Sequence, residues 1–173
     1  MNVGMACQYQ SYEYMEIGSA EFEQMVQDTL DLIEFANGDE SSEWGKVRAQ
    51  LGHKAPFGLE YLGIGNEQWQ MDNTDFFARY KIFEQRIHAK YPEIKLIGSA
   101  GPDVTSNHYT DAWEFYRKEK KNNPNFVYAI DEHYYMPPKW FLEHNDFYDN
   151  YPRDIKVFAG EYAAHDPEIN IAH

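Results

Sequence analysis

Four short apolar runs recur along the chain at a nearly constant interval, and that interval constrains the fold more than any other feature. They are Leu59-Glu60-Tyr61-Leu62-Gly63-Ile64, Ile94-Lys95-Leu96-Ile97, Phe126-Val127-Tyr128-Ala129-Ile130 and Ile155-Lys156-Val157-Phe158-Ala159. Each is rich in β-branched or aromatic residues and close to ordinary strand length. Their starts lie roughly 30 to 35 residues apart, which is the length of one strand, one loop and one helix. The gaps carry helical periodicity. From Glu21 to Asn37, Phe22, Met25, Val26, Leu30, Ile33 and Phe35 follow a helical stripe that Asn37-Gly38 ends. From Asp75 to Tyr91 the stripe is Phe76, Tyr80, Phe83, Ile87 and Tyr91, with Thr74 or Asp75 as cap and Pro92 as stop. A third helix is expected over Thr110 to Lys121, with its basic residues late, and a shorter fourth within Trp140 to Tyr151.

Strands that are apolar on both faces, alternating with helices, predict a parallel sheet covered by helices. Such a sheet closes either as a doubly wound layer or as an eight-fold barrel. No glycine-rich phosphate loop opens any helix, because Gly63-Ile64-Gly65-Asn66-Glu67 lacks the third glycine and brings a carboxylate instead. Polar and aromatic residues follow every strand: Gly65-Asn66-Glu67, Ser99-Ala100-Gly101-Pro102-Asp103, Glu132-His133-Tyr134-Tyr135 and Gly160-Glu161-Tyr162. In a barrel all of these gather at one mouth, so the barrel is the better expectation. A complete barrel takes about 250 residues, whereas this chain has 173. Four full strands are visible, with Asn2-Val3-Gly4 resembling the end of another. The expected fold is therefore α/β, a partial (β/α)8 TIM barrel whose sheet edges want covering.

Composition narrows the partners. Lys+Arg 15 against Asp+Glu 29 gives a formal charge of -14, which repels phosphate backbones and makes nucleic acid an unsuitable partner. Acidic polymers are repelled in the same way, so a neutral substrate is the easier fit, although acidity also serves solubility. Aromatic residues make up 17% of the chain, enough to stack against sugar rings and equally at home in a core. Cys7 stands alone, so it forms no intrachain disulfide and reads as a buried structural thiol. No stretch approaches the roughly 20 apolar residues of a membrane span, so no membrane partner is expected. Met1 to Tyr9 lacks the basic region and apolar core of a secretory signal.

Glu67 and Glu161 stand just beyond two apolar strands, each shortly after a glycine, with aromatics beside both. At one barrel mouth they can flank a single substrate bond. Retaining glycosidases place such a pair roughly 5–5.5 Å apart, one attacking the sugar carbon and the other protonating the leaving oxygen. One carboxyl must keep its proton and the other must be ionised and held by donors. Each glutamate alone reads equally well as a surface turn residue; the pair at equivalent strand ends makes coincidence the weaker explanation. A metal centre competes for the same residues. His53, His88, His108, His133, His144, His165 and His173 accompany many acids, and Asp131-Glu132-His133 is the densest local cluster. No helical His-x-x-x-His pair or cysteine knuckle supports a metal, and a cofactor-free acid/base reaction needs fewer assumptions.

At this point the residues carry a family likeness. Tyr61-Leu62-Gly63-Ile64-Gly65-Asn66-Glu67 resembles the acid/base strand of glycoside hydrolase family 51, the α-L-arabinofuranosidases, and Val157-Phe158-Ala159-Gly160-Glu161-Tyr162-Ala163 resembles its nucleophile strand. Order and separation agree, and Asn2-Val3-Gly4 and Ser42 to Pro56 resemble the end of strand three and the segment before strand four. The resemblance implies that Glu67 is the general acid/base and Glu161 the nucleophile. It implies that Asn66 bonds the sugar hydroxyl next to the reacting carbon, that His133 and Tyr135 line the sugar site, and that Tyr135 donates to the nucleophile. Each of these three also has an ordinary packing or turn role as its alternative. Trp69, two residues after Glu67, and Trp140 are candidate stacking platforms, whereas Trp113 on its helix reads as core.

Residues 1–173 are then expected to form a fragment of one catalytic barrel, from about the end of strand 3 to strand 7, without strands 1, 2 and 8 or the family's β-sandwich domain. The implied activity is removal of terminal α-L-arabinofuranosyl residues from plant cell-wall polysaccharides or oligosaccharides, with no cofactor and no metal. An arabinose-containing carbohydrate is the expected partner. Homo-oligomers are common in the family, and a periplasmic or secreted setting is favoured over a cytoplasmic one. The alternatives are a non-catalytic carbohydrate-binding or inert barrel fragment, or another retaining barrel enzyme such as an endo-xylanase or glucanase.

Overall fold

The structure, a computed structural model, describes residues 2–3, 7–8, 13–70 and 75–165, with only the backbone of 2–3, 7–8 and 13–14. The readings of the Cys7 thiol, Gly4, Thr74 and His173 lie outside the described residues or side chains. In chain order the elements are β1 (Asn2–Val3), β2 (Cys7–Gln8), β3 (Glu13–Tyr14), α1 (Ala20–Asn37), α2 (Glu43–Gln50), β4 (Tyr61–Ile64) and α3 (Phe76–Lys90). They continue with β5 (Lys95–Ser99), α4 (Asn107–Lys120), β6 (Ala129–Met136), α5 (Pro138–Glu143) and β7 (Lys156–Ala164).

Strands β1, β4, β5, β6 and β7 form one sheet in that spatial order, every neighbouring pair parallel. The order never reverses among the described strands, so no switch point of the doubly wound kind arises. Strands β2 and β3 make a separate antiparallel pair. Leu62, Ile64, Leu96 and Ile130 are fully buried against Phe22, Val26 and Ile33 of α1, Phe76, Tyr80, Phe83 and Ile87 of α3, and Ala112, Trp113 and Tyr116 of α4. Each such aliphatic side chain contributes about 1.5–3 kcal/mol on burial. The exposed side chains of the strands include Tyr61, Tyr135 and Phe158. The expected α/β fold with a helix-covered parallel sheet is present.

Local chemistry explains where the elements begin. Ser19 accepts from the Phe22 N–H at 3.2 Å and caps α1, and Ser42 accepts from the Gly45 N–H at 3.1 Å and caps α2. Asp75 precedes α3 but makes no capping hydrogen bond, because its backbone is left-handed at φ 46°. Helix α2 was not expected: eight residues containing Gly45 carry no apolar stripe. It is held by tertiary contacts instead. Arg48, fully buried, donates to the carbonyls of Phe35 at 2.7 Å, Lys54 at 2.9 Å and His53 at 3.1 Å, tying α2 and its following loop to α1. The helix expected within Trp140 to Tyr151 is shorter and earlier, ending at Glu143.

The main correction concerns the last two strands. Both begin later than their apolar runs suggest and continue well past them, so Glu132-His133-Tyr134-Tyr135 and Glu161-Tyr162 lie inside β6 and β7 rather than in loops after them. Hydrogen-bonded pairing carries both strands through polar sequence that apolar periodicity does not mark.

Candidate active site

The loop after β4 carries the first carboxylate. Gly65 (φ 84°) and Glu67 (φ 51°) both adopt left-handed backbone, a conformation that costs a non-glycine residue on the order of 1–3 kcal/mol and collects at functional sites. The Ser99 hydroxyl at the end of β5 accepts from the Gln68 N–H at 3.1 Å and from the Gly101 N–H at 3.2 Å, so the buried Ser99 anchors this loop to its neighbour.

Side-chain alternation along β6 sorts the cluster Asp131-Glu132-His133 into two groups. Asp131, His133 and Tyr135 share one face with Glu67 and Glu161. His133 Nδ1 lies 2.8 Å from Glu67 Oε1 and 3.7 Å from Glu161 Oε2, and its Nε2 lies 3.3 Å from Asp131 Oδ2. Tyr135 donates to Glu161 Oε2 at 2.8 Å, as expected. The ligand atoms of Glu67, His133 and Glu161 all lie within 4.8 Å of one another. That spacing matches the carboxyl pair of a retaining mechanism, not the roughly 6.5–9.5 Å of an inverting one.

A neutral imidazole donates from only one nitrogen, yet both nitrogens of His133 face carboxylate oxygens. Its imidazolium form satisfies that geometry. Burial of the ring works against the charge, but the Asp131 and Glu67 carboxylates, with the negative charges of Asp131 and Glu161, outweigh it and raise His133 to about 9. The hydrogen bond to Glu161 raises the Tyr135 phenol, as do burial and the Glu161 and Glu67 charges. The grouping of Glu67, His133 and Glu161 could also surround an ion, for which His133 would have to give up a proton to offer its lone pair.

The opposite face of β6 is closed. Glu132 is fully buried and its carboxylate accepts from Trp113 Nε1 at 2.8 Å, the Tyr148 hydroxyl at 3.1 Å, the Tyr151 hydroxyl at 3.2 Å and the Tyr134 hydroxyl. Burial raises Glu132 to about 7; Trp113 and Tyr148 as donors pull it part of the way back, and the charge of Asp131 adds to the rise. The outer cluster was invisible in the sequence, where Glu132 stood only as one member of an acid–histidine run.

The remaining candidates divide. Asn66 is exposed, next to Glu67 in the loop after β4. Trp69 is half-buried and stacks on His108, with ring centroids 5.0 Å apart and planes 25° apart. Trp113 is core, as expected. Trp140 stacks on His144 at 4.5 Å and packs against Tyr134 and Phe147, which puts it in the outer cluster and not beside the carboxylates. The sequence reading missed Asp131, whose carboxylate faces both His133 and the backbone of β7. Its signal was present in the strand alternation that groups Asp131 with His133.

Comparison with known proteins places the chain in a family. A family model described as the α-L-arabinofuranosidase 1 domain matches residues 1–153. An extracellular exo-α-L-arabinofuranosidase from Streptomyces chartreusis is 49% identical over 140 residues, covering 80% of this chain and 16% of the relative. The α-L-arabinofuranosidase 1 of Arabidopsis thaliana is 38% identical over 129 residues, covering 73% of this chain and 19% of the relative. Among solved structures, an arabinose-bound family 51 α-L-arabinofuranosidase superposes with a TM-score of 0.69 at 27% identity, covering 95% of this chain and 23% of the other. The chain thus spans less than a quarter of the length of each of these proteins.

Proposed function

The chain belongs to the α-L-arabinofuranosidase domain family, and on that premise we propose that it carries the catalytic pair of a retaining glycoside hydrolase that removes terminal α-L-arabinofuranosyl residues from plant cell-wall polysaccharides or oligosaccharides. The observation that carries this reading is the approach of Glu67 and Glu161 around His133, all three within 4.8 Å. A sheet whose strand order steps in one direction supports reading residues 1–173 as strands 3 to 7 of a (β/α)8 barrel. The extracellular relative supports a secreted setting.

In the first step a Glu161 oxygen attacks the anomeric carbon while the bond to the leaving oxygen breaks, and Glu67 delivers to that oxygen a proton it receives from the His133 imidazolium across their 2.8 Å contact. Tyr135 donates to Glu161 Oε2 and the charged His133 faces the same oxygen, which fixes the carboxylate for attack. In the second step Glu67 takes a proton from water, the water oxygen bonds to the anomeric carbon, and the Glu161 ester bond breaks. Asn66, exposed beside Glu67, would bond a sugar hydroxyl, and Trp69, two residues beyond Glu67, would offer a platform for a sugar ring.

The test is to incubate the protein with an arabinose-decorated oligosaccharide and follow products by proton NMR. Free arabinose with its starting anomeric configuration is the expected first product. Inverted arabinose, or shortened backbone oligosaccharides in place of arabinose, would overturn the reading.

A further inference from the structure

Strand β7 reaches the site only through an irregularity. Asp131 is level with Phe158 and His133 is level with Glu161, so β7 inserts one extra residue where β6 has none. Residues level with each other in a parallel pair point to the same face. Without the extra residue His133 would be level with Gly160, and Glu161 would fall level with Tyr134 and point to the outer face with Glu132. The bulge is what turns Glu161 inward. Bulges are uncommon in parallel pairs and recur beside active sites.

Asp131 sits directly across from this irregularity. Its Oδ1 accepts from the Gly160 N–H at 3.0 Å, the amide immediately before Glu161, and its Oδ2 faces His133 Nε2 at 3.3 Å. A side chain at position 160 would collide with it, since a Cβ built there lies 2.4 Å from Asp131 Oδ1. Glycine is therefore required for the carboxylate to come this close. One carboxylate thus holds the backbone of the bulge with one oxygen and the ring of His133 with the other.

Resting on the arabinofuranosidase reading for what Glu161 does, we propose that Asp131 is the positioning residue of the site: it holds the β7 bulge that turns Glu161 toward the substrate side and orients His133 between Glu67 and Glu161. It touches no reacting atom itself. It acts through Gly160 and His133. Among the described residues, the groups that face His133 are Asp131 from its own strand, Glu67 from the β4 loop and Glu161 from β7, with Tyr135 behind Glu161.

The test uses this chain and does not depend on turnover. His133 is followed by NMR through a pH titration, assigned by its loss in His133→Gln, together with the Gly160 amide signal. In Asp131→Asn, where an amide oxygen can still accept from Gly160, the Gly160 signal should stay while the His133 midpoint falls by about one unit or more, a tenfold loss of proton affinity. In Asp131→Ala both should change. Gly160→Ala should displace Asp131 and lower the His133 midpoint as Asp131→Asn does, and adding it to Asp131→Ala should bring little further change, as expected of two residues acting as one unit. Unchanged His133 titration in both Asp131→Asn and Gly160→Ala overturns the proposal. A chain that passes these tests but releases no arabinose would sink the proposed activity and leave the positioning role standing.

Discussion

On the inner face of β6, Asp131, His133 and Tyr135 meet Glu67 and Glu161, whose side chains are 37% and 39% exposed. On the outer face, one residue away, Glu132 has no exposed surface and four donors around it. Both faces combine carboxyl groups with aromatic hydroxyls, so residue type does not tell them apart. What differs is saturation and access. A carboxylate whose acceptor positions are filled by Trp113, Tyr134, Tyr148 and Tyr151 has nothing left for a ligand, and it joins α4, β6 and the segment before β7 into one packed unit. The carboxylates of the inner face share a single charged imidazole and stay open to solvent. The outer face sets where β6 lies, and the inner face uses that placement.

The comparison breaks first if the inner carboxylates do no chemistry. Glu67→Ala should lower kcat by about 10²–10⁴-fold on substrates with poor leaving groups and far less on an aryl arabinofuranoside whose leaving group needs no proton. Equal losses on both substrates would remove Glu67 from the acid role. The matching change on the other face is Glu132→Ala, which strands buried donors and should destabilise the fold by about 2–4 kcal/mol in urea unfolding. A stability change within experimental error there would mean the outer cluster holds nothing together.

A smaller effect sharpens the contrast. Tyr135→Phe removes one donor to Glu161 and should cost roughly tenfold in kcat, about 1.4 kcal/mol. Tyr135 is 47% exposed, so unfolding stability should move by no more than about 0.5 kcal/mol. A large stability loss without a kinetic one would place Tyr135 with the outer cluster.

A last pair of effects separates the faces by pH. An unfolded glutamate loses its proton near 4.5, whereas folded Glu132 keeps it to about 7, so the folded state binds the extra proton in that interval. Its contribution to stability is complete below about pH 4.5 and is lost as pH rises through 7. His133 is raised from 6.5 to about 9, so its contribution is complete below pH 6.5 and is lost as pH rises through 9. Both slopes run downward with rising pH, in successive windows. Glu132→Gln should flatten the lower window and His133→Gln the upper one in stability-against-pH curves. A variant that flattens the other window would show that the two faces titrate as one network.

Much of this was legible in the residues alone. The alternation of apolar runs with helical stripes, the stop at Pro92 and the glycines before Glu67 and Glu161 are local signals, and local physics reads them directly. They determined a helix-covered parallel sheet, the two candidate carboxylates and the likeness to glycoside hydrolase family 51. Helix α2 escaped because its support is Arg48 reaching carbonyls of other segments, which no local pattern records. Strand alternation already put Asp131 and His133 of the acid–histidine run on one side, but no local pattern shows which donors close around Glu132 on the other. Tertiary structure alone decided that four donors close around Glu132, that β6 and β7 continue through polar sequence, and that one extra residue in β7 brings Glu161 level with His133. The reason is register. Pairing between β6 and β7 is set by contacts between segments far apart in the chain, among them Asp131 on the Gly160 amide, and a one-residue difference in that pairing moves a carboxylate from one side of the sheet to the other.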